Sequence, residues 1–128
     1  MFPDTYLIPK EATGAAIAKL MTVNFQKKVT PDLQKEAGKS GLTIKQVITM
    51  ASIVEKEARG DADRNIIAGI LLKRLKADWP LQVDATIQYA LGYQPETKSW
   101  WKKELFEEDK KNKSAYNTYL NPGLPPGP

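Results

Sequence analysis

The 128-residue chain contains neither cysteine nor histidine. Without cysteine it can build no disulfide framework and no thiolate metal site. That absence does not assign a compartment. Without histidine the Ser-His-Asp and Cys-His catalytic arrangements are excluded, as are the usual catalytic zinc sites. Acid/base chemistry therefore falls to Asp, Glu, Lys or Tyr, and neither a metal nor a cofactor is expected. No apolar run reaches the roughly 18 residues that a membrane span needs. No signal peptide is visible, because Met1 is followed at once by Phe2-Pro3-Asp4. Soluble behaviour is expected. Net charge is small, at +4 with a pI near 9.2, so attraction to polyanions is weak and names no partner. A nucleic-acid module would rest on that charge and the aromatics alone. No helix-turn-helix, zinc-finger or RNA-binding signature supports it, and no nucleic-acid partner is expected.

What is present fits a single domain, 1–128, around one core. The expected fold class is α+β, dominated by four or five helices, with short extended pieces near both ends. Phe2 to Pro9 reads as extended. Glu11 to about Val29 favours helix, with Ile17, Leu20, Met21 and Phe25 at helical spacing. Thr30-Pro31-Asp32 opens a further helix, which Gly38 to Gly41 breaks. Thr43 caps a helix to about Ala58. Asp61 or Asp63 caps the next, through Lys76. Residues 81–86 are ambiguous, and Thr86 to Leu91 fits one short helix ending at Gly92. Four of the nine prolines lie in residues 122–128, so the tail cannot be regular helix.

The helix after Thr43 carries the strongest local signal. At about 100° per residue, Ile44, Val47, Ile48, Ala51, Val54 and Ala58 form one apolar stripe. Glu55 falls inside it, Lys56 points elsewhere, and Glu57 lies off it near Met50. The spacing thus directs one carboxyl group toward the core or a cleft. Burying a carboxylate costs several kcal/mol unless it is paired or protonated. Desolvation raises a carboxyl pKa, which suits a general acid. A structural ion pair with Arg64 or Arg74 is the alternative.

The surrounding words resemble a known family. Ala51-Ser52-Ile53-Val54-Glu55-Lys56-Glu57-Ala58 is similar to the signature of the endolytic murein transglycosylases, the YceG-like family. Phe2-Pro3-Asp4-Thr5-Tyr6 resembles the family's opening motif. Arg64, Ile67-Ala68, Arg74-Leu75 and Leu81-Gln82-Val83-Asp84-Ala85-Thr86 resemble its central motif. Ser114 to Tyr119 and Gly123 to Pro128 resemble its closing motifs. Five motifs in order cover nearly the whole chain.

The resemblance implies non-hydrolytic cleavage of the β-1,4 bond between N-acetylmuramic acid and N-acetylglucosamine in peptidoglycan strands, leaving 1,6-anhydro ends. It makes Glu55 the general acid and then the base. It tilts Gln82, Asp84, Thr86, Tyr116, Asn117 and Thr118 toward substrate binding, against capping and turn roles. Glu57 and Arg64 are the candidates to support the acid from behind, with a solvated helix face as the other reading of Glu57. Asp84 offers a second carboxylate, which would open a hydrolytic route. Peptidoglycan is the implied partner, with cell-wall synthesis proteins as further candidates. The resemblance also places the natural protein at the bacterial cytoplasmic membrane, facing the wall. Family members carry a membrane anchor, a LysM-like module and sequence past the Leu-Pro-Pro-Gly-Pro motif. The chain is therefore expected to be a partial catalytic domain, and a non-catalytic glycan-binding fragment is the alternative reading. Trp100 and Trp101 suggest sugar stacking or anchoring to the core. Lys102 to Lys113 reads as a solvated insertion.

Overall fold

The computed structural model describes residues 4–128, so Phe2 and Pro3 of the opening motif lie outside the described residues. Five α-helices form: α1 (Gly14–Lys28), α2 (Pro31–Lys39), α3 (Ile44–Glu57), α4 (Asp61–Lys76) and α5 (Asp84–Leu91). A 3-10 turn follows at Asp109–Lys111. The chain divides into two compact units, one ending at Thr43 and one spanning Ile44–Pro128.

In the first unit, the Thr13 side chain accepts from Ala16 N and starts α1 three residues later than the sequence suggested. Ile17, Met21 and Phe25 are half-buried, and Leu20 is exposed. The segment before α1 is irregular. It is tied down by Asn24, whose Nδ2 donates to Asp4 Oδ2 at 3.0 Å and to the Tyr6 hydroxyl at 2.9 Å. That bond, with one from Thr5 N, holds the Asp4 carboxyl below its ordinary pKa. Thr30 caps α2 by accepting from Leu33 N, with Pro31 at the first helical position. Gly41, at φ 74°, then turns the chain out of α2.

In the second unit, α3 packs against α4 and α5. Met50, Ile53 and Val54 of α3 meet Leu71 of α4, then Leu81, Val83 and Ala85. Ile87 is fully buried. This corrects the expected stripe. The buried face of α3 is Thr49, Met50, Ile53 and Val54, while Ala51 is exposed and Ile44, Val47 and Ile48 are only half-buried. Alanines offer little area to bury. Thr49 is buried because its hydroxyl donates to the carbonyl of Lys45 at 2.9 Å, which satisfies it inside the helix.

A second correction concerns strands. No strand forms among the described residues, and only an isolated bridge joins Gln94 and Ser99. The prolines of both terminal stretches remove the donors that a ladder requires. A third concerns α4, whose N-cap is Gly60, with Asp61 already helical. Asp63 instead accepts from Arg59 N. Finally, the charged stretch after Lys102 is folded. Lys102 Nζ sits 2.7 Å from both Asp109 carboxylate oxygens, and most of the Asp109 side chain is buried. Lys102 therefore holds Asp109 below its ordinary pKa.

Candidate active site at the end of the third helix

The last turn of α3 sends its three charged side chains to three different neighbours. Glu55 meets α4. Arg64 Nε donates to Glu55 Oε2 at 3.1 Å and Nη2 donates to Oε1 at 3.2 Å, a fork against a planar carboxylate. Arg64 also bonds Asp61, one turn earlier. The fork and the Glu55 charge raise the Arg64 pKa further. Side-chain exposure is 69% for Glu55 and 42% for Arg64. The sequence reading placed Glu55 on the buried face, and the structure moves it to the surface. It is neither sealed in the core nor free of an arginine. At this exposure the pair orients the carboxylate more than it stabilises the fold. Arg74, the other arginine considered, donates to Leu81 O at 2.6 Å instead.

Glu57 is exposed as well, although it follows Ile53 by four residues and Val54 by three. Its Oε1 accepts from Ala85 N at 3.2 Å, at the first turn of α5. A carboxylate there meets unpaired helix N–H groups and the positive end of the dipole. Lys56 lies between the two glutamates in sequence. Its ammonium stands 3.8 Å from the centroid of the Trp101 ring.

The Leu81–Thr86 segment runs into the first turn of α5 at Asp84. Its burial alternates, with Leu81, Val83 and Ala85 inside and Gln82 and Asp84 exposed. Gln82 has φ 54°, a left-handed conformation uncommon for a side-chain-bearing residue. Its amide donates to Thr118 O at 3.1 Å. Asp84 Oδ1 accepts from the Tyr119 hydroxyl at 2.7 Å. Tyr119 is pushed up to about 12, first by burial, then by that bond and by the charges of Asp84, Glu57 and Glu107.

Thr86, Asn117 and Thr118 lie inside. The Thr118 hydroxyl accepts from Val83 N at 3.0 Å and pairs with the Thr86 hydroxyl at 2.9 Å. Thr86 in turn donates to Val83 O. Asn117 donates to the carbonyls of Lys110 and Asn112 and accepts from Tyr119 N. These side chains spend their polar groups on backbone that would otherwise be buried unpaired. Against the expected role in substrate contact, Asn117 and Thr118 hold the site from within.

Tyr116 sits at the surface of this frame. Its ring lies 4.6 Å from that of Tyr89, tilted by 43°, and burial raises its pKa. Both tyrosines line a cavity of about 230 Å³ with Ile53, Lys56, Thr86 and Trp101. Ser52 also borders it. Glu55 does not line it; on an ideal helix it stands about 60° from Ser52 but about 100° from Lys56 and about 160° from Ile53. Trp101 is half-buried here, whereas Trp100 is 68% exposed and meets Tyr93 edge-on. Among the described residues, no group of three or more acidic side chains is arranged to hold a metal ion.

The structure thus gathers Glu57, Asp84 and Tyr119 at the start of α5, and Glu55, Arg64 and Asp61 between α3 and α4. Sequence reasoning missed Tyr119, Tyr89 and Lys56. Tyr119 ends the Ser114–Tyr119 motif, which was its one signal.

Comparison with known proteins gives a consistent result. A family model described as the YceG-like family matches residues 1–128. An endolytic murein transglycosylase of Streptococcus pneumoniae is 37% identical over 131 residues, covering 100% of this chain and 23% of its own length. That of Bacillus subtilis is 34% identical over 128 residues, covering 100% of this chain and 34% of its own. The chain therefore spans between about a quarter and a third of the length of these curated relatives. A crystal structure of a putative YceG-like protein from Listeria monocytogenes superposes with a TM-score of 0.84 at 34% identity, over 99% of this chain and 40% of that one.

Proposed function

The chain belongs to the YceG-like family, and on that premise we propose that it carries the acid-bearing part of a peptidoglycan lytic transglycosylase. The observation that carries the reading is Glu55: exposed at the end of α3 and oriented by a two-bond fork from Arg64. In the reaction, protonated Glu55 gives its proton to the glycosidic oxygen between N-acetylmuramic acid and N-acetylglucosamine. The C1–O bond breaks. The C6 hydroxyl oxygen of the same muramic residue bonds to C1, and its proton passes to the Glu55 carboxylate. No water or enzyme nucleophile is consumed, and the attacking oxygen is already tethered to its target.

A carboxylate that accepts two bonds from Arg64 has no proton to give. For Oε1 to carry the proton the Nη2 bond must open, while Nε stays on Oε2 and keeps the carboxyl oriented. Arg64 acts as a positioning residue. Gln82 offers an exposed amide and the half-buried Tyr116 a hydroxyl to the sugar, while Glu57, Thr86 and Thr118 fix the frame. Asp84, already engaged by Tyr119, is assigned to that frame rather than to a hydrolytic route. On the same reading the whole protein faces the wall from the cytoplasmic membrane and meets cell-wall synthesis proteins there. Among the described residues, no helix is long and apolar enough to cross a membrane.

The test is digestion of purified peptidoglycan by this chain and by Glu55→Gln, with products identified by mass spectrometry. Anhydro-muropeptides are expected from the parent alone. Reducing ends without anhydro products would replace the reading with hydrolysis. Binding without cleavage by the parent would leave a glycan-binding fragment.

A further inference from the structure

Lys56 is placed unlike the neighbouring charges. Glu55, Asp61 and Arg64 satisfy one another, and Glu57 is used on α5. Lys56 has no carboxylate within ion-pair distance among the described residues. Its ammonium is held over the Trp101 ring at 3.8 Å. An indole face orients a cation and leaves its outward N–H donors free. Trp101 is itself anchored. Its amide donates to Ser99 Oγ, and the next carbonyl, that of Lys102, accepts from Gln88 Nε2 at 2.7 Å. A cation held over an indole thus stands at a cavity whose walls include Ile53, Tyr89, Trp101 and Tyr116, with Ser52, Thr86 and the 125–128 stretch completing it. Aromatic and aliphatic walls suit the apolar face of a sugar ring and an acetamido methyl. The cation suits a carboxylate.

We propose that this cavity is a subsite for an N-acetylhexosamine bearing a carboxylate substituent, with Lys56 as the residue that selects the substituent. The proposal rests on the glycan reading above and adds a specificity device to it. The carboxylate has two possible sources, the lactyl ether of a peptide-free muramic residue or the stem peptide of a substituted one. Both present the same group to Lys56.

The test uses three tetrasaccharides and the full chain with Trp79→Phe and Trp100→Phe, so that Trp101 alone reports binding by fluorescence. One probe is N-acetylglucosamine throughout and carries no carboxylate. One alternates N-acetylglucosamine with peptide-free N-acetylmuramic acid. One alternates it with peptide-bearing N-acetylmuramic acid. A carboxylate-bearing probe should bind about three- to tenfold more tightly than the neutral one, and which of the two does so identifies the source. Lys56→Gln should remove that preference while keeping neutral-probe affinity, and Lys56→Arg should restore it. Equal affinity for all three probes, no binding of any, or a preference that survives Lys56→Gln overturns the proposal. Circular dichroism of each variant excludes loss of fold as the cause. The two readings fail separately: a retained preference without anhydro products sinks only the catalytic one, and anhydro products without a preference sink only this one.

Discussion

Replacing Thr118 with valine tests whether the inner frame sets the stability of the second unit. Valine keeps the shape of threonine and exchanges only the hydroxyl for a methyl. In the structure that hydroxyl accepts from Val83 N at 3.0 Å and pairs with Thr86 at 2.9 Å, at a residue 1% exposed. After substitution Thr86 still donates to Val83 O, so its own bond survives. The Val83 N–H does not, because the residue is buried and its one acceptor is gone. A buried donor left unpaired costs about 1–3 kcal/mol. With a central value of about 2 kcal/mol and roughly 4 °C per kcal/mol for a domain of this size, the melting temperature should fall by roughly 8 °C. The assay is thermal unfolding by circular dichroism, paired with urea titration. Adding Thr86→Val should cost less than its effect alone, because the two hydroxyls share one network. A Thr118→Val melting temperature within about 1 °C of the parent, or strict additivity of the pair, would refute the reasoning.

Two further outcomes follow. Tyr119, with its pKa raised to about 12, should make the fold lose stability on the alkaline side. The unfolded tyrosine ionises near pH 10 and the folded one near 12, so the unfolded state binds fewer protons between them and stability falls as pH rises through that window. A loss on the order of 2 kcal/mol is expected, absent in Tyr119→Phe, and pH-stepped denaturation measures it. Arg64→Gln should lower kcat by roughly tenfold to a hundredfold with little change in KM, since the fork orients Glu55 without holding the substrate. Its melting temperature should stay near the parent's, because both partners are exposed. Steady-state kinetics on peptidoglycan decides this, and a rise in KM alone would assign Arg64 to substrate binding instead.

Helix limits were largely legible, because their signals are local. Thr30-Pro31, the glycines after Ala37 and Gly92 each act within one turn. The face of α3 was not legible, since spacing cannot weigh alanine against methionine. Ala51 and Ala58 completed a stripe on paper, but the larger Met50 and Ile53 had more area to bury. Thr49 could join them only because a helix carbonyl satisfies its hydroxyl. The site divided the same way. The Glu-Lys-Glu triplet stood out in sequence. Which glutamate reaches the start of α5 depended on where that helix begins, 28 residues away. The Lys102–Asp109 pair, too, looks like ordinary surface charge until the loop closes on itself.

The bond from Glu57 to the start of α5 also has a mechanical meaning. A helix packed on two neighbours can creep about its own axis, and the direction in which Glu55 points turns with it. Glu57, two residues on, is pinned to a separate helix, so α3 cannot roll without tearing that pin. The bond works as a torsional stop on the shaft that carries the acid.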